Sequence, residues 1–345
     1  MNKKGYGYLS LAVTTLLTTI ITSCSNKELR SRADGEITED ISALVKSFDS
    51  DDISIGAVSD IKSANGIVFI SNSQSIDSLI AIFDSQTLSW KGNIAKVGPG
   101  PDEITVPGEV VYDDKRNELL VFDYGQLKVK AFNVDSALNQ EYYSPRIIQT
   151  IQQGTFPDRY AMVNDSLGFA RMISLPKNPR ERRGYEQTLC KYNLKTGEMK
   201  EIPDSGRMAG LKTLFGINAD CKRLVECGIN NDLLTIYDFE GNKLRTIPGP
   251  EYKNDGIDKK KIYFRQIVVT PELILASYSG SDDDKTNYYG RTVQVYDIDG
   301  NYIKTLDSGK LISHMNYDKN TGRLLMIFND PDIQLGYVDL NKVIN

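Results

Sequence analysis

One phrase recurs six times in this 345-residue chain: a short apolar run closed by an aromatic residue and then Asp or Asn. It reads Leu79–Asp84, Lys128–Asn133, Thr188–Asn193, Leu234–Asp238 and Thr292–Asp297, with a weaker sixth copy, Gln334–Asp339, whose acid comes one residue later. The aromatics fall at Phe83, Phe132, Tyr192, Tyr237, Tyr296 and Tyr337. Such self-similarity at a period of roughly 40–50 residues marks a repeat architecture in which no unit buries its apolar faces alone. After the phrase comes a tight turn, as in Asp238-Phe239-Glu240-Gly241-Asn242 and Asp297-Ile298-Asp299-Gly300-Asn301, where Gly supplies positive φ and Asp accepts from its own backbone. A strand follows, Lys243–Ile247 or Tyr302–Leu306. Before the phrase lies another turn and apolar strand, such as Asp113–Asn117 leading to Glu118–Phe122. Each unit therefore reads as a four-stranded antiparallel meander, A to D, rich in β-branched and aromatic residues.

Six such sheets set radially make an all-β, six-bladed β-propeller over residues 53–345. The sixth unit has room for no outer strand, because only Asn341–Asn345 follow Leu340. The segment Ile41–Phe48 is expected to supply it. The helical spacing of Ile41, Leu44, Val45 and Phe48 leaves a short amphipathic helix as the competing reading.

The N-terminus reads as an address. Lys3 and Lys4 precede an uncharged run from Tyr8 to Ser23, too short and too rich in Thr to span a bilayer. The run ends Ile21-Thr22-Ser23-Cys24, which resembles a bacterial lipobox. The resemblance implies cleavage after residue 23 and acylation of Cys24, an anchor of more than one chain that holds without a transmembrane helix. Residues 24–52 are then a polar tether and the closing strand. The remaining cysteines, Cys190, Cys221 and Cys227, are odd in number, so at least one is a free thiol. Cys221 and Cys227 could meet across a hairpin, though all three suit buried apolar positions.

The chain from the lipobox to the last blade resembles the TolB-like six-bladed propeller lipoproteins of Bacteroidetes. The most characteristic stretch is Lys96-Val97-Gly98-Pro99-Gly100-Pro101-Asp102-Glu103-Ile104 between the first two blades. Pro101-Asp102 is an insertion relative to the family pattern and Ile104 replaces its aromatic, so the likeness does not fix where Glu103 sits. It implies a fold and an envelope location, not an activity. The glycines do not form a phosphate cradle, since Pro99 removes one of the successive donors such a cradle needs.

Composition narrows the function. A formal net charge of −5 argues against nucleic acid as a partner. A single histidine, His314, excludes metal sites with two His ligands, and no G-x-S-x-G elbow is present. Asp297–Asn301 lacks the remaining ligands of a calcium loop, and Ser281-Asp282-Asp283-Asp284 reads as a solvated loop tip. No cofactor or metal is expected.

In a propeller the B–C and D–A loops open on one face around the central channel. On that face lie Lys177, Arg180, Arg182 and Arg183 in a long loop of the third unit. Asp282, Asp284, Tyr288 and Tyr289 lie in a loop of the fifth running from Ser277 to Arg291, and Glu103 lies between the first two units. The inner strands offer Glu109, Arg159, Tyr160, Tyr263, Arg265 and His314 to the channel. Long mixed-charge loops without a catalytic constellation point to a lipid-anchored binding or scaffold protein for a glycan, a peptide or an envelope protein. The alternative is a carbohydrate-active or lactonase-like hydrolase or lyase using carboxylate or metal chemistry in the channel. Ser25–Glu28 lacks an acid-rich export run, which favours an outer-membrane anchor facing the periplasm.

Overall fold

The computed structural model describes residues 31–48, 53, 55–56, 58–175, 186–203, 205, 212–254, 257–282 and 288–344. Six sheets follow one another along the chain; in the first five, antiparallel strands A to D run in sequence order from the axis outward, and in the sixth only A to C do so. The A strands are Ser59–Ala64, Pro107–Asp113, Thr155–Met162, Thr213–Asn218, Lys261–Val269 and Ile312–Asp318. The repeated phrase is strand C in every blade, from Ser78–Asp84 to Leu335–Asp339.

Six separate apolar clusters fill the six interfaces between neighbouring blades. Strand alternation sends successive side chains to opposite neighbours. In the fourth blade Leu234 and Ile236 face the fifth, whereas Tyr237 faces the third. In each of the first five blades the aromatic of the phrase faces the preceding blade. The sixth copy breaks this rule. Its aromatic stands one residue further from the acid, and a one-residue slip reverses the facing of a strand side chain. Tyr337 accordingly packs toward the first blade, and Val338 takes the position facing the fifth.

The turns follow the sequence chemistry. Asp238 accepts from the backbone N of Glu240 and Asn242 at 2.9 Å, and Asp297 from Asp299 at 3.1 Å and Asn301 at 2.8 Å. Gly241 and Gly300 have φ of +90° and +87°, which their turns require. The Asp297 carboxylate is thus committed to its own hairpin. The second blade departs from the pattern. Asn133 caps a helix, Val134–Asn139, by accepting from Ser136 N at 3.0 Å, and strand D comes only at Arg146–Thr150.

The ring is closed from the N-terminal side. Lys46–Ser47 pairs antiparallel with Tyr337 and Gly336 as the outer strand of the sixth blade, and Phe48 N donates to Leu335 O at 3.3 Å. Both readings of Ile41–Phe48 meet here, because Ser42–Leu44 forms one tight helical turn before the strand. Thr38–Asp40 adds a fifth strand to blade five, parallel to Tyr302–Asp307, which the sequence did not announce. Between them Ile41, 1% exposed, enters the core between blades five and six. After strand C of the sixth blade the chain ends as a short helix, Leu340–Ile344. Among the described residues no helix is long and apolar enough to cross a membrane.

Because the Ile41 side chain ties the N-terminal strap into the core between blades five and six, Ile41→Ala is expected to lower unfolding free energy by about 2–5 kcal/mol. Neutralising the half-exposed Glu39, paired with Lys304 at 2.9 Å, should cost less than about 1 kcal/mol. Urea denaturation of the two variants checks the contrast, and equal costs would show that the strap is not part of the core.

Candidate functional site

Four of the six inner strands are not regular. Register shifts interrupt the A–B pairing at Pro107/Val110, Pro157/Arg159, Ile262/Phe264, Phe264/Gln266 and Ile312/His314. Bulges re-aim side chains, and those at Glu109, Arg159, Arg265 and His314 fall on or beside the charged and polar positions of the channel.

Four charged side chains from three blades form a closed ring there. Lys62 lies 3.6 Å from Asp60 and bonds Glu109, while Arg159 lies 3.7 Å from Glu109 and 3.5 Å from Asp60. Lys62 also donates to Val110 O at 2.7 Å. Each acid touches both bases, so the ring is neutral. Burial works against the Asp60 carboxylate, but Lys62, His314 and Arg159 hold it below its ordinary range.

The ring borders the central cavity. This cavity, of about 410 Å³, lies on the side of the A–B turns and is lined by all six A strands, with Lys62, Glu109 and Arg159 among its residues. Blades one, five and six line it only from Ile61, Gln266 and Met315 onward. Asp60, Arg265 and His314, each one residue earlier on the same strands, therefore lie beyond its inner end, toward the B–C and D–A loops.

At that end the Arg265 guanidinium carbon sits 3.9 Å from the centroid of the Tyr288 ring and 5.6 Å from that of Tyr289. The two tyrosines meet edge to face at 5.0 Å. Arg265 has no carboxylate at ion-pair distance among the described residues, and its Nε is buried without a partner, as is Nδ1 of His314. Burial pushes the His314 imidazole down to about 4, assisted by Arg159, Arg265 and Lys62 and opposed by Asp60. It is neutral at physiological pH.

Of the remaining expected site residues, Tyr160 borders the cavity while packing mainly between blades, and the others that are described lie away from it. Tyr160, 3% exposed, packs between Phe122 and Tyr192 in the interface of blades two and three, and its hydroxyl donates to Ser166 O at 3.3 Å. Tyr263 lies in the interface of blades four and five, its hydroxyl 3.4 Å from Glu251. Tyr160 follows Arg159 directly on its strand, whereas Tyr263 stands at the register shift between Ile262 and Phe264, which turns it into the blade interface. The Glu103 carboxylate turns back to accept from Gly100 N at 2.8 Å, and a Cβ at Gly98 or Gly100 would run into it. Asp282 is exposed at the end of strand B of blade five, which runs to Asp282 and shortens the loop foreseen from Ser277. Lys177, Arg180, Arg182, Arg183 and Asp284 lie outside the described residues, as do the leader and Cys24.

Three constellations had weak sequence signals. Asp60 and Lys62 flank Ile61 at strand spacing, a pattern that marks one face of a strand but not an ion ring. Arg32 is buried against Asp232 at 2.6 Å, with its guanidinium over the Tyr278 ring at 4.1 Å. Glu226 is buried with Tyr237 Oη at 3.3 Å, and burial pushes its carboxyl up to about 7 although Thr213 and Tyr237 oppose the shift. The three later cysteines are free, and burial pushes the Cys190 thiol up to about 12. Among the described residues no three His, Cys, Asp or Glu side chains gather closely enough to hold a metal ion.

Residues 49–170 match the DUF5128 family, described as a 6-bladed beta-propeller. No curated protein matches the chain. Among solved structures, a member of the DUF4221 family from Bacteroides vulgatus superposes with a TM-score of 0.56 at 15% identity, covering 86% of this chain and 95% of that one. Regucalcin from Agrobacterium tumefaciens, a calcium-binding protein, gives 0.51 at 10% identity, over 81% and 89% of the two chains. The chain is a six-bladed β-propeller related in fold to the DUF4221 and DUF5128 type of Bacteroidetes propeller proteins, and not specifically to TolB.

The buried pair beneath the Gly98–Glu103 loop yields one stability test. Lys130 and Asp123 are both 0% exposed and 3.4 Å apart, and Asp123 also accepts from the backbone N of Thr105, Val106, Gly125 and Gln126. Asp123→Asn leaves Lys130 uncompensated and should cost about 3–5 kcal/mol in urea unfolding.

A second test uses pH. From pH 6.5 down to about 4 the unfolded imidazole binds a proton that folded His314 refuses, so stability falls as pH drops through that window. Folded Glu226 keeps a proton up to about 7 that the unfolded chain loses near 4.5, so its contribution falls as pH rises. The slopes oppose each other, each up to ~1.4 kcal/mol per pH unit. Glu226→Gln should make stability rise with pH from about 4.5 to 6.5, and His314→Asn should make it fall. Denaturation midpoints across that range check this, and slopes of one sign in both variants would refute it.

Proposed function

We propose that this chain is a lipid-anchored envelope propeller of TolB-like type that binds a ligand at the B–C and D–A end of its channel without transforming it. The observation that carries the reading is the neutral ring of Asp60, Lys62, Glu109 and Arg159. General acid–base or metal-assisted hydrolysis in the channel would need a carboxylate free to take a proton or a cation. Here each acid already faces two bases, and a divalent ion would have to displace Lys62 and Arg159. The ring suits a fixed wall against which a ligand rests.

The anchor is proposed on the sequence Ile21-Thr22-Ser23-Cys24, with the outer membrane and its periplasmic side as the expected location. Arg32, buried at the B–C end of blade four, comes eight residues after Cys24. Eight residues reach at most ~29 Å when extended. An acylated Cys24 would hold the ligand end of the propeller near the bilayer.

Pull-down of the intact lipoprotein from its native envelope tests the reading. Wild type should retain a glycan, peptide or envelope protein that a chain with residues 176–185 and 283–287 replaced by short Gly-Ser links does not, and Cys24→Ser should move the chain out of the membrane fraction. Equal retention by both chains would exclude the loop face.

A further inference from the structure

We infer that the end of the channel beyond the ring is a seat for one carboxylate, that of an acidic sugar, formed by Arg265 with His314 beside it and Tyr288 and Tyr289 as its wall. The inference rests on the binding reading above and names the ligand class for that face.

The charge balance of the channel does not close without it. Asp60, Lys62, Glu109 and Arg159 neutralise one another, and Arg171 is held by Asp158 on its own blade. Arg265 is left as one positive charge with no carboxylate at ion-pair distance among the described residues. Stacking on Tyr288 at 3.9 Å supports the guanidinium but does not neutralise it. Arg265 is half-buried, so an anion paired with it is less screened than one at an open surface.

The geometry selects the anion. Arg265 lies at a register shift between Phe264 and Gln266, which takes its side chain out of the regular alternation of the strand. With one face on Tyr288, the edge of the guanidinium is what remains to donate, and a fork of parallel N–H groups matches a planar carboxylate. The buried Nε of Arg265 has no acceptor, and Nδ1 of His314 has no partner. A carboxylate with a neighbouring hydroxyl satisfies both, taking hydrogen bonds from Arg265 and giving or accepting one at His314. The surplus is a single charge, and Asp60 within the ring and Asp282 at the rim repel a second negative charge, so a monoanion fits better than a phosphate dianion. The half-buried tyrosines offer apolar ring faces with hydroxyl tips, which suits a ligand that has both an apolar ring face and hydroxyl groups. A hexuronate has these features, whereas a neutral hexose has the ring without the charge.

The test uses the full chain with D-galacturonate and D-glucuronate, as monosaccharides and as short oligomers, against galactose and glucose. Calorimetry and thermal denaturation should show binding and a raised Tm for the uronates and neither for the neutral sugars. Arg265→Gln, checked for an unaltered circular dichroism spectrum, should weaken uronate binding roughly 10- to 100-fold. Arg265→Lys, which keeps the charge and loses the fork, should recover only part of it. Uronates binding no better than neutral sugars, or binding undiminished in Arg265→Gln, would overturn the inference. The envelope pull-down keeps the two readings apart. If Arg265→Gln retains the same partner as wild type, the loop face stands and the carboxylate seat falls. If wild type retains nothing yet binds uronates through Arg265, the seat stands and the envelope partner falls.

Discussion

Both faces of every blade must be covered by another blade. This is the constraint from which the rest of the molecule follows. A four-stranded sheet with Val, Ile, Leu and aromatic side chains on both faces cannot stand alone in water, and a row of such sheets still leaves two bare faces at its ends. Closing the row into a ring removes them. The closure is made by the segment that precedes the first blade: Ile41 fills the core between blades five and six, and Lys46–Ser47 completes the sixth sheet. The closing hydrogen bonds are few, so the buried apolar contacts of the strap matter more than its two-residue strand. Arg32, at the start of the same strap, adds a buried ion pair to blade four. A removed charge there would strand its partner in a dry site, which makes the attachment specific as well as stabilising.

The fold was legible because the same constraint is written into the sequence six times. Alternation at period two, an aromatic one residue before the turn acid, and Gly or Asn where φ turns positive are local signals, and the structure places all six phrases on strand C. Even the imperfect sixth copy was informative. The displaced acid at Asp339 corresponds to an aromatic facing the other neighbour. What could not be read is also physical. The helix after Asn133 replaces a hairpin turn using the same residue type that begins one elsewhere. The parallel strand Thr38–Asp40 depends on the edge it finds on blade five, not on its own three residues.

The site was far less legible, for a reason rooted in the bulges. A sequence of alternating residues assigns side chains to two faces only if the strand is regular. The inner strands insert extra residues beside Glu109, Arg159, Arg265 and His314, and each insertion resets which side chain meets the axis. That is why these four belong to the channel while Tyr263, two residues before Arg265, packs between blades, and Tyr160, next to Arg159, packs between blades with one edge on the cavity. Asp60 and Lys62 escaped attention because their strand is regular and their spacing is ordinary. Their importance comes only from what the second and third blades place opposite them.

A neutral ring and an unmatched arginine in one channel have different consequences. The ring holds its charges in mutual contact, so its worth lies in fixing the inner strands of three blades against one another. The cavity on the A–B side has Lys62, Glu109 and Arg159 paired at its inner end and the exposed Asp114, Asp220 and Lys319 at its rim. Toward the loops stands Arg265, stacked on Tyr288 and without a carboxylate at ion-pair distance among the described residues. Selectivity is a matter of unsatisfied groups more than of volume, since a cavity whose polar groups are all paired rejects little and attracts little, whereas an unpaired guanidinium distinguishes an acid from its neutral counterpart. In this propeller Arg265 is such a group, and the four charges of the ring, already matched to one another, are not.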